Sequence, residues 1–212
     1  MLLEIYRRLL SAYGPQGWWP GDSAFEVAVG AILTQATSWK NAARAIANLK
    51  RAGVLSPEGL WRLPAAEIAE LIRPAGYFNQ KAKRLRAFLE LVREHDGLEG
   101  LFSLPIEELR ERLLAVPGIG PETADSIVLY AAEKPSFVID AYTRRILSRL
   151  GLIQGDEGYA ELKRLFEENL PRDTGLYKEY HALLVRHGKV HCRARPRCGG
   201  CPLGDMCSAT GS

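Results

Sequence analysis

The sequence predicts an all-α protein of about ten helices, and three observations carry that prediction. Apolar residues recur at helical spacing, Gly and Pro cluster where short helices would break, and strand-like alternation is almost absent. Residues 1–13 are amphipathic and carry Glu4, Arg7 and Arg8, which predicts a first helix and argues against a signal peptide. Gly14-Pro15-Gln16-Gly17 ends it. Phe25, Val29, Ile32 and Leu33 mark the next helix, and Ile68, Leu71 and Ile72 mark one beyond the Ser56-Pro57 break. Pro74-Ala75-Gly76 separates that helix from a longer one carrying Leu85, Phe88, Leu89 and Val92. A further helix runs into Pro117-Gly118-Ile119-Gly120-Pro121, another leaves it, and Lys134-Pro135 closes the stretch. Phe137-Val138-Ile139 is the only candidate strand, and it delivers Asp140 to the start of a helix. No internal repeat, low-complexity linker or long charged tail is present.

Lys plus Arg number 28 against 25 Asp plus Glu, so the net charge of +3 says little about partners. Distribution says more. Arg186, Lys189, Arg193, Arg195 and Arg197 share a stretch without acids, as do Arg144, Arg145 and Arg149. Such clusters neutralise phosphates or are simply solvated faces. No apolar run approaches the roughly 20 residues that a membrane span needs. With reduced thiols, that predicts a soluble, cytoplasmic protein.

The four cysteines fall together as Cys192-x5-Cys198-x2-Cys201-x5-Cys207. Disulfides suit small secreted domains without an adequate core, and a chain of 212 residues can bury one, so a metal centre is the expected use. Four thiolates suit tetrahedral zinc or the corner irons of a [4Fe–4S] cluster. Zinc knuckles usually pair two short Cys-x2-Cys units, and the spacing also differs from the ferredoxin run. Spacing leans towards iron–sulfur and leaves zinc open.

In the hairpin, Pro117 starts the turn, Gly118 and Gly120 supply backbone freedom and close approach, and Pro121 suits the first helical position. The unpaired N–H groups of that helix start make an anion site. Pro-Gly-x-Gly alone is often an interhelical turn; flanked by helical periods, it looks like a helix–hairpin–helix that grips a nucleic-acid backbone without reading sequence. Asp140 alone reads as an N-cap.

Hairpin, following aspartate and cysteine loop, in this order, resemble the endonuclease III branch of the helix–hairpin–helix DNA glycosylases. The resemblance runs over nearly the whole chain and includes Leu33-Thr34-Gln35-Ala36-Thr37, Gly76-Tyr77-Phe78-Asn79-Gln80-Lys81-Ala82, Val138-Ile139-Asp140 and His187-Gly188-Lys189. The first cysteine gap is one residue shorter than the family's commonest pattern. The resemblance implies two helical domains, 21–132 and 1–20 with 133–212, with damaged double-stranded DNA and its flipped base in the cleft between them. It implies one [4Fe–4S] cluster on Cys192, Cys198, Cys201 and Cys207 and a monovalent cation at the carbonyls of Leu114, Val116 and Ile119. Contacts to the DNA backbone would come from Gly118, Gly120, Thr123, Lys189, Arg193, Arg195 and Arg197, in a protein working as a monomer on nucleoid DNA.

Asp140 matches the family's essential aspartate. Cleaving an N-glycosidic bond builds positive charge on the sugar, which a buried carboxylate stabilises while it orients or deprotonates the attacking water. Bifunctional relatives carry a lysine two residues after the last hairpin glycine, where its amine forms a Schiff base. Glu122 stands there, which implies a monofunctional enzyme; a first-turn acid favoured by the helix dipole is the structural role. The target base must leave the stack, and Gln35 and Tyr77 match the residues that fill the gap and wedge the duplex. Gln35 could equally be a helix-end hydrogen bond and Tyr77 a loop aromatic.

Gly17-Trp18-Trp19-Pro20, Trp39, residues 73–85 and Glu122-Thr123-Ala124-Asp125 are similar to the bacterial 3-methyladenine DNA glycosylases built on this scaffold. That resemblance implies excision of alkylated purines, 3-methyladenine first and 7-methylguanine with it, between the indoles of Trp39 and of Trp18 or Trp19. A cationic base is attracted to an electron-rich face more than its neutral parent is. Trp61 is read as a core residue. The rival readings are a glycosylase of the same fold acting on uracil, on thymine or adenine mismatches or on oxidised bases, and a non-catalytic iron–sulfur protein that binds DNA. Asp140 argues against the last.

Overall fold

The computed structural model describes residues 1–208, and among them every regular element is helical. The helices are α1 (Leu2–Tyr13), α2 (Ala24–Leu33), α3 (Trp39–Arg51), α4 (Pro57–Arg62), α5 (Ala65–Leu71) and α6 (Phe78–Glu94). They continue as α7 (Leu98–Ser103), α8 (Ile106–Ala115), α9 (Pro121–Ser126), α10 (Ala141–Arg149), α11 (Tyr159–Asn169) and α12 (Thr174–Val190). None of them is long and apolar enough to cross a membrane. The described chain divides into two compact units, one formed by residues 1–18 with residues 135–208, the other by residues 19–134. The resemblance implies boundaries at 20/21 and 132/133; residues 209–212 of its second domain lie outside the described residues.

Side chains that bond back to the chain start several helices. Ser23, Ser38 and Ser56 accept from backbone N–H groups three residues on at α2, α3 and α4, as Asp140 and Asp173 do at α10 and α12. Each such cap is worth about 1 kcal/mol.

The unit of residues 19–134 is built around α2, which is buried from Phe25 to Leu33 and packs against α3, α6 and α9. Each fully buried Leu, Ile or Phe contributes roughly 1.5–3 kcal/mol. α9 runs directly into a π-helical stretch, Ile127–Ala131, buried throughout and also packed on α2. Its apolar residues show no one-sided period because no side faces solvent. Asp125 on α9 has no exposed surface and takes two hydrogen bonds from Arg110 on α8, Nε to Oδ1 at 2.8 Å and Nη2 to Oδ2 at 3.1 Å. Trp61 is half-buried, with Arg86 and Arg93 of α6 over its ring at 4.6 and 4.1 Å, so it ties α4 to α6 rather than filling a core.

In the other unit, Phe137 stacks on Phe166 at 3.9 Å with Tyr177 and Tyr180 edge-on, and the Tyr180 hydroxyl donates to Leu2 O, drawing α1 onto α12. Phe137-Val138-Ile139 is buried and irregular, not a strand. Its β-type residues reflect burial. Its N–H groups find side chains instead of a sheet: Phe137 donates to Glu167 Oε1 and Ile139 to the Tyr159 hydroxyl.

Candidate functional site

Asp140 caps α10 and is also a buried carboxylate, with 9% of its surface exposed. Its Oδ1 accepts from Thr143 N–H at 2.7 Å and from the Thr143 hydroxyl at 2.9 Å. Its Oδ2 lies 3.5 Å from Nε2 of His181 on α12, at the long edge of a hydrogen bond. Burial by itself would raise the Asp140 pKa; the hydrogen bond and charge of His181, then the two Thr143 donors, outweigh it and hold the carboxyl below its ordinary value. The group is therefore held as an anion at neutral pH. Trp18 meets the His181 ring edge-on at 6.2 Å. Lys189, expected at a phosphate, places its ammonium 5.7 Å from the Trp18 ring centre and 6.0 Å from that of Tyr142. Tyr142 packs so closely on Gly188 that a side chain there would collide with it.

Trp19 begins the other unit, where it meets Trp39 edge-on at 5.5 Å and Tyr130 at 5.2 Å. Both indoles are half-buried. The tandem tryptophans thus part company, Trp18 beside the Asp140–His181 pair and Trp19 in an aromatic nest with Trp39.

The hairpin lies in the same unit as that nest. Gly118 sits at φ +86°, and a Cβ there would strike Arg84, with Nε at 2.5 Å. Gly120 does not need the freedom expected of it: its φ is −90°, in the ordinary region, and the space where a Cβ would stand is open. Its use is access. Thr123, expected to face a phosphate, is buried, and its hydroxyl accepts from Gln35 Nε2 at 2.9 Å. The same Nε2 donates to Gly118 O at 3.0 Å while Arg84 donates to Gln35 Oε1, so Gln35 locks the hairpin. Glu122 is exposed in the first turn of α9. The Val116 carbonyl, one of three expected at a monovalent cation, already accepts from Ile119 N–H. Gly118→Ala should cost about 1–3 kcal/mol through its backbone and the clash. Gly120→Ala should leave stability within about 0.5 kcal/mol but weaken binding to all duplexes alike; thermal melts and salt-matched binding curves separate the two.

Tyr77 is 66% exposed and holds a left-handed backbone, φ 46°, at the start of α6; Ala36, next to Gln35, does the same at φ 51°. Left-handed non-glycine residues persist only where surroundings impose them. Lys81 is part of that imposition. It is 1% exposed and donates to Leu33 O and Ala75 O at 2.9 and 2.8 Å, joining the end of α2 to the turn before Tyr77. Burial, then the charge of Arg84, lowers its pKa to about 8.

All four cysteines line one cavity, together with Ile146, Leu150 and Leu203. All are free thiols. Among the described residues no group of three or more His, Cys, Asp or Glu side chains is arranged to hold a metal ion. The donor set nevertheless fits a thiophilic group: soft sulfurs face an apolar-walled space, and Arg149 Nη1 stands 3.3 Å from Cys192 Sγ. Burial pushes the Cys201 thiol up against a backbone hydrogen bond at Leu203, and the charges of Cys198, Cys207 and Cys192 add to the rise. The arginines of α10, read as candidates for phosphate, are internal ties. Arg145 donates to Cys192 O and Gly188 O, Arg149 to Arg193 O and Ala194 O, and Arg144 to Glu157 O. Arg193, Arg195 and Arg197 are exposed.

His181, Thr143, Lys81 and the Arg110–Asp125 pair did not emerge from pattern reading. The one signal for His181 was a polar residue opening the apolar run Ala182-Leu183-Leu184-Val185.

Residues 29–172 match the model of the HhH-GPD superfamily of base excision DNA repair proteins. The chain is 48% identical to a candidate DNA repair glycosylase of Methanocaldococcus jannaschii over 98% of its own length and 96% of the relative's. The H. pylori 3-methyladenine DNA glycosylase, solved with 1,N6-ethenoadenine bound, is similar at a TM-score of 0.77 and 30% identity over 89% of this chain and 97% of that one. An endonuclease III in a non-covalent DNA complex shares the fold at a TM-score of 0.82 and 21% identity, over 99% of this chain and 96% of that one.

Proposed function

The chain belongs to the HhH-GPD superfamily of base excision DNA repair proteins and is a DNA repair glycosylase of that fold, and from that premise we propose that it excises N-alkylated purines from duplex DNA and leaves an abasic site. The observation that carries the chemistry is Asp140: a buried carboxylate kept ionised, able to stabilise the sugar cation and to orient water. The hairpin around Gly118 and Gly120, with Arg193, Arg195 and Arg197, meets the backbone of damaged double-stranded DNA, and exposed Tyr77 is the wedge. Gln35, which donates to the hairpin carbonyl of Gly118, fills the gap that the flipped base leaves. The protein works as a monomer.

Glu122 supports hydrolysis without strand cleavage, because a carboxylate forms no imine. 3-Methyladenine is the first substrate and 7-methylguanine the second. Trp39 supplies stacking, and Trp19 is preferred to Trp18 because the Lys189 ammonium already occupies the vicinity of the Trp18 ring. Cys192, Cys198, Cys201 and Cys207 would hold one [4Fe–4S] cluster, which when bound supplies thiolate–iron bonds that close the loop bearing the three exposed arginines. The carbonyls of Leu114, Val116 and Ile119 would hold a monovalent cation.

Duplexes with single defined lesions test the reading. Methylated purine should be released under single-turnover conditions, strands should break only after alkali, and borohydride should trap no adduct. The protein should be brown, with about four irons per chain. Release of uracil or mismatched adenine with methylated DNA untouched would overturn the substrate, an efficient borohydride trap the mechanism, and a colourless one-zinc protein the cluster.

A further inference from the structure

The two oxygens of Asp140 stand in different surroundings. Oδ1 is bonded by both donors of Thr143, within the helix that Asp140 caps. Oδ2 is faced by Nε2 of His181 from α12, a ring only 4% exposed and flanked edge-on by Trp18. Of the other charges on the packed elements, Arg186 is exposed, Arg149 donates to Arg193 O and Ala194 O, and the rest that are described are engaged away from Asp140. Arg144 donates to Glu157 O, Arg145 to Cys192 O and Gly188 O, Glu179 accepts from Gln16 N–H, and Lys189 lies over the Trp18 and Tyr142 rings. The Tyr159 hydroxyl, from α11, is at Ile139 N–H.

We infer that His181 is a positioning residue for Asp140: its Nε2–H holds Oδ2 in one orientation and keeps the carboxylate charged, without itself touching the substrate. Two donors on Oδ1 fix one end of the carboxylate, and a donor on Oδ2 fixes its plane. Such a plane decides whether the free lone pairs face the reacting sugar and its water, and small misplacements at a reacting centre are costly. At 3.5 Å the contact is longer than an ordinary hydrogen bond, a length that catalytic contacts often have before substrate is bound. Donation to the charged form favours that form, which agrees with the direction in which Asp140 is displaced. Trp18 stands edge-on to the imidazole at 6.2 Å and bounds the ring on that side.

The consequence for excision rests on the glycosylase reading; the geometry does not. The test therefore has two arms. In the full-length protein labelled with 13C at aspartate carboxyls, the Asp140 signal, identified by its loss in Asp140→Asn, is titrated. It should have a midpoint below the usual carboxylate range. His181→Leu should raise that midpoint by about one pH unit or more, and His181→Gln, which keeps a donor, should restore much of the displacement. In single-turnover release of methylated purine, the acid limb of the rate should move to higher pH in His181→Leu and return in His181→Gln. A midpoint and an acid limb both unmoved in His181→Leu would reduce His181 to a space-filling neighbour. A wild-type Asp140 titrating at the ordinary aspartate value would overturn the inference even if the leucine variant failed to fold. A carboxyl midpoint that moves as expected in a protein that releases no methylated base supports the positioning and sinks the proposed substrate.

Discussion

Asp140→Asn should bind lesion-bearing duplex as the wild type does and lose base excision by on the order of 10²–10³-fold or more. The substitution is nearly isosteric, and the asparagine carbonyl can still accept from the N–H and hydroxyl of Thr143, so the start of α10 survives. What disappears is charge. As the glycosidic bond breaks, positive charge develops on the sugar; a buried anion interacts with it strongly because no water screens the pair, and a neutral amide does not. The amide also cannot take a proton from water. Because His181 and Thr143 hold the wild-type carboxyl below its ordinary value, the loss should be the same at every pH from mildly acidic to mildly alkaline. Single-turnover release measured beside equilibrium binding checks both halves. A variant that keeps a tenth of the wild-type rate would remove Asp140 from the chemistry.

Arg110→Ala should lower folding stability by about 3 kcal/mol, the lower end of the cost of breaking a buried ion pair from one side, because the arginine side chain keeps 26% of its surface exposed. The guanidinium makes two hydrogen bonds to Asp125, which has no exposed surface, and the pair joins α8 to α9 on either side of the hairpin. Removing the arginine takes two donors from a carboxylate that stays inside. Replacing both residues by leucine should recover most of the loss, because an apolar pair needs neither solvation nor a partner. Urea denaturation of the two variants measures this, and lesion-independent DNA binding should fall with Arg110→Ala as the hairpin loosens. A loss under 1 kcal/mol would show that the apolar contacts of α8 and α9, not the ion pair, hold the hairpin helices together.

Local pattern carried much of this molecule. The helical class, the breaks at Gly14, Ser56, Pro74 and Pro117, the cap at Asp140 and the gathering of the four thiols are properties of neighbouring residues, where spacing and backbone preference suffice. The short α4, α5 and α7 carry too few turns to show a clear period, and the Ile127–Ala131 stretch, apolar on every side, has no period to read. Phe137-Val138-Ile139 looks like a strand because β-branched and aromatic residues suit any buried extended chain; that no strand lies beside it among the described residues is a tertiary fact, and it decides otherwise.

The composition of the site followed the same division. Sequence by itself determined that an aspartate heads a helix after a glycine hairpin and that no lysine follows the hairpin's last glycine at the position of Glu122. Tertiary structure alone decided what surrounds them. Arg145 reaches a carbonyl 47 positions away, and Gln35 reaches the hairpin 83 positions on, so neither partner leaves a mark in its neighbour's sequence. Basic residues that look alike in a row separate into ties for the cysteine loop, Arg145 and Arg149, and exposed charges, Arg193, Arg195 and Arg197. His181 reads as one polar residue before an apolar run until α12 packs on α10 and sets its ring against Asp140. Periodicity reports which face of an element is buried; which group that face meets depends on contacts between distant segments, and there the ionisation of a carboxylate and the access to a glycine are determined.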